Sequence, residues 1–413
     1  LAVAFIATGC STLGDAALKV GAIYPLSGTQ GPGGIAEYRG TSLAIDLIND
    51  AGGVNGRAIE LVPLDVPDSD AVPSAIEKLD DEGVDVVLGS YGSTISAPAA
   101  AQTAARGMLF WESGAVGTFD PAAMNASSEQ PGALAFRFAP TGVVLGRAAI
   151  QFVANRLAGK LDVAADELRF GVASVDDVYG ETVRRGAVEA IDELGLRLAG
   201  DWTYDPRGFD ASQLARSIEK ARTDVLFVVA YLEDGVALRE AIVDEDVPLV
   251  ASIGTSSSYC HPEFGARLGR RAVGLYASDK PDAGALNPEG LAPEARALLE
   301  RARTAYEDRY DEEMDASALS GFSAAWALLD GVLPNASSDD ARGIADAARR
   351  TQIPAGSLPN GSGLMFGRAG SPDQSNNLRA ESVIWEWVDV RRRAIVWPPR
   401  YRTSPIRPMA IAH

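Results

Sequence analysis

Apolar and polar residues follow one another along the first part of the chain in a pattern that predicts strands and helices in turn. Apolar runs at residues 18–24, 59–65 and 84–88 predict strands, and apolar residues at helical spacing predict helices at 35–49 and 70–81. The last strand run is apolar on both faces, which is typical of a strand buried inside a parallel sheet. This βαβαβ order predicts parallel strands with helices on both sides of the sheet.

The first predicted helix has one apolar side and one polar side. Leu43 and Leu47 recur at helical spacing, whereas Glu37, Arg39 and Asp46 fall on the other side. The periodicity therefore places Glu37 on the polar face.

A second alternating set begins after a predicted strand at 108–111 and a crossover at 136–141. Its helices are predicted at 144–158, 181–194, 211–221 and 234–243, and its strands at 169–175, 198–204, 225–231 and 249–253. The Pro- and Gly-rich segment 281–290 is predicted to return the chain to the first lobe. Helices at 293–310, 316–333 and 338–349, a third crossing within 354–367 and a last strand at 381–388 complete the chain. Repeating βα units after a crossover imply a second lobe built like the first.

The loop after the strand at 84–88 carries the first candidate chemistry. Ser90, Gly92 and Ser93 offer hydroxyls and backbone N–H groups, and Pro98 suits a first helical turn, where a missing N–H costs nothing. A helix start has unpaired N–H donors and a partial positive charge, so it suits a carboxylate or another small anion or dipole. The alternative is that Ser93 only caps a structural helix.

Composition restricts the classes of partner. The chain has 413 residues, 46% of them hydrophobic and 23% charged, which suits two folded domains. Its formal net charge of −19 argues against nucleic-acid binding, because a phosphate backbone would be repelled. With only two histidines, His261 and His413, a histidine-based metal site or catalytic dyad is not expected. We expect no catalytic residue, no metal site and no cofactor.

The N-terminal segment resembles the end of a bacterial lipoprotein signal. Residues 1–7 are apolar, small residues precede Cys10, and polar residues follow it. The resemblance implies lipidation of Cys10 and an extracytoplasmic protein, periplasmic or on the cell surface, anchored in a bacterial membrane; an ordinary cleaved signal or a buried first strand is the alternative. If Cys10 carries lipid, Cys260 has no disulfide partner and is expected to be a free thiol.

Several blocks of sequence together resemble the ligand-binding proteins of ABC importers for branched-chain amino acids and amides. The blocks are Ile23 to Gly28, Ile48 and Asn49, Gly52 to Gly56, and Gly89 with Ser93 and Pro98. The resemblance implies an α/β fold with two Rossmann-like, doubly wound parallel-sheet lobes joined by a three-strand hinge. It predicts a tether at 1–17, lobe 1 at 18–139 plus 281–355, and lobe 2 at 140–280 plus 356–413. The ligand would lie in the cleft between the lobes.

The same resemblance assigns ligand contacts residue by residue. Ser93 matches the serine that holds the ligand carboxylate, assisted by the backbone N–H groups next to it, at Tyr91 and Gly92. Gly114 matches a backbone carbonyl that accepts from a ligand amine, a role that any residue type could fill. Tyr179 and Tyr231 match aromatic residues of the second lobe that close over the ligand, and core packing is their alternative role.

Two positions depart from the family pattern. Val116 replaces a threonine that shares the carboxylate, so only the backbone donor remains. Ser256 replaces a glutamate that pairs with the ligand ammonium, and a buried ammonium without a carboxylate would be costly. Glu112 is the predicted compensating carboxylate, since it ends a first-lobe strand. These departures argue against a plain branched-chain amino acid.

The sequence therefore predicts an extracytoplasmic protein that captures a small polar solute, such as an amino acid or amide, and delivers it to an ABC permease with its ATPase. A lipid-anchored sensor of the same fold is the alternative in the binding class. An α/β enzyme ranks lowest, because no Gly-x-Gly-x-x-Gly, phosphate loop or nucleophile elbow is found.

Overall fold

Two β-sheets carry the fold in the computed structural model, which describes residues 17–119 and 134–408. One sheet is formed by β1 (Leu18–Tyr24), β2 (Ile59–Asp65), β3 (Val86–Gly89), β4 (Leu109–Glu112) and β5 (Ala135–Arg137). Its order is β2-β1-β3-β4-β5 and every neighbouring pair is parallel. Its strands are rich in Val, Leu and Ile because both faces are covered by helices.

The second sheet has seven strands among the described residues, in the order β12-β11-β10-β9-β8-β6-β7. They are β6 (Arg169–Val175), β7 (Arg197–Tyr204), β8 (Val225–Val229), β9 (Ala251–Thr255), β10 (Tyr276–Asp279), β11 (Val383–Asp389) and β12 (Arg392–Trp397). Strands β6 to β10 run parallel to one another, whereas β11 runs antiparallel to both of its neighbours, β10 and β12. The strand predicted at 381–388 is observed as β11, but it is not the last strand, because residues 392–397, which begin with two arginines, form β12.

Helices divide between the two sheets. Lobe 1 combines the first sheet with α1 (Gly31–Asp50), α2 (Val72–Asp81), α3 (Ser93–Ala105), α10 (Pro293–Tyr310), α11 (Ala316–Trp326) and α12 (Ala341–Arg350). Lobe 2 combines the second sheet with α4 (Gly142–Phe152), α5 (Val178–Glu193), α6 (Ala211–Lys220), α7 (Leu232–Asp244), α8 (Ser256–Tyr259) and α9 (Pro262–Leu268). The chain thus enters lobe 2 after β5, returns to lobe 1 after β10, and enters lobe 2 again before β11.

Glycines allow the closest helix contacts in lobe 1. A methyl group on Gly40 of α1 would lie 1.9 Å from the Ala318 carbonyl oxygen of α11, and one on Gly321 would lie 2.1 Å from the Glu37 carbonyl oxygen. The backbones of α1 and α11 therefore touch, and Glu37 is forced into the contact. Glu37 is fully buried, so its predicted place on the polar face is wrong.

Hydrogen bonds join two of the three crossings between the lobes. The Arg137 N–H donates to the Ser375 carbonyl at 2.9 Å, and the Asn377 N–H donates to the Arg137 carbonyl at 3.0 Å. The Asn377 side chain also donates to the Phe138 carbonyl at 3.1 Å. These two crossing segments are thus connected by a few individual hydrogen bonds rather than by a long pair of strands.

One helical stretch, Ala316–Asn335, is long and apolar enough to cross a membrane by length and composition. It is 78% buried inside the structure. It therefore serves here as the core helix of lobe 1.

Candidate ligand-binding site

A small cavity lies between the lobes at the carboxyl ends of the parallel strands. The loops after β3 and β4 line it from lobe 1, and the starts of α5, α7 and α8 line it from lobe 2. Its volume is about 10 Å³, near the space needed for one water molecule. The lobes are therefore closed on each other, and a solute of several atoms enters only when they move apart.

The structure brings together almost all the residues predicted for the site. The cavity is lined by Tyr91, Gly92, Ser93, Gly114, Val116, Tyr179, Tyr231 and Ser256. Among the predicted ligand contacts, Glu112 is not part of this lining. Cys10, the predicted lipidation site, lies outside the described residues.

Ser93 is the first residue of α3, and Gly92 is the N-cap. The Ser93 hydroxyl accepts the Gly117 N–H at 2.9 Å and is not an N-cap acceptor. It therefore joins the two lobe-1 loops that border the cavity. Pro98 lies inside α3 rather than in its first turn, because the helix begins at Ser93.

Two tyrosines form the lobe-2 side of the cavity, with ring centroids 5.5 Å apart. The Tyr231 hydroxyl donates to Asp177 at 2.6 Å. The Tyr179 hydroxyl is buried and has no hydrogen-bond partner among the described residues, although the Ser257 backbone lies near it. Burial raises the pKa of Tyr179 well above its ordinary value, so this hydroxyl keeps its proton and is available as a donor.

Ser256 begins α8 and faces a carboxylate of the hinge. Its hydroxyl donates to Asp279 at 2.9 Å, and Asp279 is 3% exposed. The Asp279 carboxylate therefore lies next to Ser256, the position at which the family has a glutamate. It already has a hydroxyl partner within the chain.

Gly114 is restricted to glycine, contrary to the expectation that any residue type could fill its place. A Cβ there would lie 1.8 Å from an Oε2 oxygen of Glu37. The other Glu37 oxygen accepts the Ser113 hydroxyl at 2.6 Å, so the carboxylate cannot easily turn away. The side chain of a buried glutamate therefore fixes the residue type at a cavity backbone position.

Glu112 supports the cavity loop from behind. Its Oε1 accepts the backbone N–H groups of Gly114 at 3.0 Å and Ala115 at 2.6 Å. Burial raises the pKa of Glu112 to about 7, against the opposing effect of Arg137. The Glu112 side chain does not reach the cavity to pair with a ligand ammonium as predicted, because the loop lies between Glu112 and the cavity.

Sequence reasoning missed Lys280, which lines the cavity and is 4% exposed. Its Nζ donates to the Gly114 carbonyl at 2.8 Å and lies 5.9 Å from the centre of the Tyr91 ring. Burial lowers the pKa of Lys280, but the carboxylates of Asp279, Glu37 and Glu112 together raise it above its ordinary value. The signal was the position of Lys280 directly after a strand end, at the edge where ligands bind.

The buried carboxylate of Glu37 makes stability depend on pH. Burial raises the pKa of Glu37 from an ordinary 4.5 to about 8, so the folded state binds the proton more tightly than the unfolded state. Stability from this group is therefore full below about pH 4.5 and declines as the pH rises towards 8. We expect Glu37→Gln to reduce this decline by at most about 1.4 kcal/mol per pH unit.

Urea unfolding of the parent and the Glu37→Gln variant at pH 5 and pH 8 measures this difference. Burial also raises the pKa of Glu381 and Glu386, so part of the decline should persist. An identical pH dependence in both proteins would contradict the assignment to Glu37.

A wider groove continues from the small cavity. It has a volume of about 660 Å³ and shares Gln30 and Tyr231 with the cavity. Its acidic residues already have partners: Asp177 accepts from Tyr231, Asp234 accepts from Tyr204 at 2.5 Å, and Glu233 pairs with Arg267. The groove offers room for the part of a solute that the small cavity cannot hold.

Other chemistry is sparse in the part of the chain that the structure describes. Within residues 17–119 and 134–408 no cluster of three or more His, Cys, Asp or Glu side chains could hold a metal ion. Cys260 is a buried free thiol, and burial raises its pKa well above the ordinary value.

Comparison with known proteins places this geometry in context. A family model described as periplasmic binding protein matches residues 17–378. Leu/Ile/Val-binding protein homolog 7 of Brucella abortus (strain 2308) is 25% identical over 410 residues, covering 98% of each chain.

Solved structures show the same fold. A leucine binding protein from Thermotoga maritima has a TM-score of 0.74 at 18% identity, covering 92% of this chain and 97% of its own. An ABC transporter solute binding protein from R. palustris, solved with benzoate, has a TM-score of 0.71 at 18% identity, covering 96% and 99%. The predicted two-lobed α/β fold is thus confirmed.

Proposed function

Because this chain belongs to the periplasmic binding protein family, we propose that it captures a small polar solute between its lobes and delivers it to an ABC permease with its ATPase. The family resemblance drawn from the sequence is confirmed by the match. Relatives of this chain are named as Leu/Ile/Val-binding protein homologs. A structural neighbour was solved in complex with benzoate. Small carboxylates with and without an amine are therefore the first candidates.

One observation supports this proposal above the others. The start of α3, the loop after β4 and two lobe-2 tyrosines converge on one interlobe cavity, and the buried Tyr179 hydroxyl at its wall has no partner among the described residues. A buried donor without a partner is costly, so a solute oxygen that accepts from it would stabilise the closed form. Closure also excludes water, which strengthens each hydrogen bond in the cleft.

Calorimetry with a panel of amino acids, amides and small carboxylates tests solute capture. We expect at least one member of the panel to bind with a stoichiometry of about one, since the predicted ligand contacts converge on one interlobe cavity. Because the free protein must open to admit a solute, small-angle scattering should show compaction towards this closed form when that solute is added. Absence of binding across the panel would count against solute capture.

We expect Ser93→Ala to weaken binding of the best solute by about 1 to 2 kcal/mol, because the charged group of the solute would lose one of its several hydrogen-bond donors. Ser74→Ala is the matched control, since Ser74 lies in the first turn of another lobe-1 helix and its hydroxyl is also hydrogen-bonded. Calorimetry of both variants gives the comparison. Equal affinity in the parent and Ser93→Ala would remove this hydroxyl from the site.

We also propose that Cys10 carries the lipid that holds the protein at the outer side of the membrane, supported by the small and polar residues around it. We expect Cys10→Ser to move the protein from the membrane fraction to the soluble fraction of the cells that produce it. Retention of the variant in the membrane fraction would contradict a lipid anchor at this residue.

A further inference from the structure

The charge that faces the cavity is of one sign. Of the described residues that line it, Lys280 alone has a charged side chain, and it is a cation. The start of α3 adds a partial positive charge, and the Tyr179 hydroxyl adds a free donor. The lining is therefore suited to an anion.

The groups nearby that could accept from a solute ammonium are either bonded within the chain or lie outside the cavity lining. The Gly114 carbonyl accepts from Lys280 Nζ at 2.8 Å. Asp279 accepts the Ser256 hydroxyl, and Glu37, whose Oε2 has no hydrogen-bond partner among the described residues, is not among the residues that line the cavity. A solute ammonium would need the Gly114 carbonyl as an acceptor. The Lys280 ammonium already occupies that carbonyl and would repel the solute ammonium, because both groups are positively charged.

Burial makes this arrangement selective. Lys280 has three donors, of which one is used by Gly114, so the others are free to reach a carboxylate. A like charge in a dry cavity is repelled more strongly than in water, because the effective dielectric constant is lower. The pKa of Lys280 is raised above its ordinary value, with Asp279 the strongest of the raising groups, so Lys280 is protonated in the pH range where solutes are captured.

We propose, as a deepening of the solute-binding function above, that Lys280 supplies the ammonium of this site from within the chain, so that the solute is a carboxylic acid without an α-amino group. The carboxylate lies between Lys280, the start of α3 and the Tyr179 hydroxyl. The remainder of the acid extends past Gln30 and Tyr231 into the wider groove.

Matched solutes test this on the unaltered protein by calorimetry at pH 7. The pairs are L-leucine with 4-methylpentanoate, L-phenylalanine with 3-phenylpropanoate, and L-alanine with propanoate, together with the amide of each acid. We expect the acid that binds best to do so at least tenfold more tightly than both its amino acid and its amide. An amino acid that binds as tightly as its deaminated acid would overturn the proposal, and so would an amide that equals the acid.

A charge-balanced variant gives the second readout. Lys280→Met alone would leave the buried Asp279 carboxylate without its cation, so it is combined with Asp279→Asn and compared with Asp279→Asn alone. We expect the combined variant to bind the acid at least tenfold more weakly and the amino acid no more weakly. Equal loss for both solutes would assign Lys280 a structural role and overturn the proposal. If no acid, amide or amino acid binds the unaltered protein, solute capture itself fails, which is a different outcome from capture of an amino acid.

Discussion

Replacement of Arg137 by methionine is expected to lower the free energy of unfolding by about 3 to 5 kcal/mol, the range for loss of one partner of a buried charge pair. Arg137 is fully buried at the end of β5 and donates to the Ala115 carbonyl at 2.7 Å. Its guanidinium carbon lies 4.1 Å from the centre of the Phe119 ring. Burial lowers the pKa of Arg137 to about 10, and Glu112 opposes that change.

Arg137 and Glu112 hold the same cavity loop from two sides. Glu112 accepts two N–H groups of the loop, and Arg137 donates to one of its carbonyls. Without the guanidinium, Glu112 would lose the stronger of the two cations that oppose its desolvation, and Lys280 would remain as the weaker one. We therefore expect the solute affinity to fall together with the stability.

A double-mutant cycle separates charge balance from packing. Chemical denaturation of Arg137→Met, Glu112→Gln and the combined variant gives the coupling energy. We expect the combined variant to be more stable than Arg137→Met alone, because glutamine accepts the same N–H groups without a charge. Stability of Arg137→Met within about 0.5 kcal/mol of the parent, the scatter of ordinary surface substitutions, would refute this account.

The second large effect is expected at Gly114, where alanine should cost about 3 kcal/mol, the upper part of the range for overpacking. The new methyl group would lie 1.8 Å from Glu37 Oε2. Movement of Glu37 is costly, since it would break the hydrogen bond from the Ser113 hydroxyl at 2.6 Å and Gly321 packs against its Cγ. The Gly114 carbonyl would move, and with it the hydrogen bond from Lys280.

A control variant and a double variant test whether the cost at Gly114 arises from the collision with Glu37. Gly159→Ala is the control, because a Cβ at Gly159 meets nothing within 4 Å. Glu37→Ala combined with Gly114→Ala should recover much of the loss, since the colliding carboxylate is gone. Thermal and urea unfolding of the set gives the answer. Equal stability of Gly114→Ala and Gly159→Ala would show that the loop moves without cost.

The order of elements and the position of the cleft followed from the sequence. Apolar runs at 18–24, 59–65 and 169–175 are the observed β1, β2 and β6. β1 and β6 are largely buried and need apolar residues along their length, whereas β2 is a half-exposed edge strand. The cleft followed from topology, since parallel strands end at one edge and helices begin there. Local patterns are sufficient for both.

The hairpin of β11 and β12 was only half predicted. Arg392 and Arg393 begin β12 at the edge of the sheet, where charged side chains reach solvent or pair with hinge residues. Edge strands tolerate charge because one side has no neighbouring strand. Periodicity alone therefore does not reveal this strand.

The sequence by itself determined the two-lobed α/β fold and the loops that meet in the cleft, because backbone hydrogen bonding and side-chain hydrophobicity act over a few residues. Only the tertiary structure decided the charge of the cavity. Glu37 lies on a helix that looks amphipathic, and Lys280 follows a strand end like many exposed lysines. Their burial, and the contact of both with Gly114, arises because two helices touch through glycines and the hinge returns beside the loop after β4. Contacts between residues far apart in the sequence leave no local pattern.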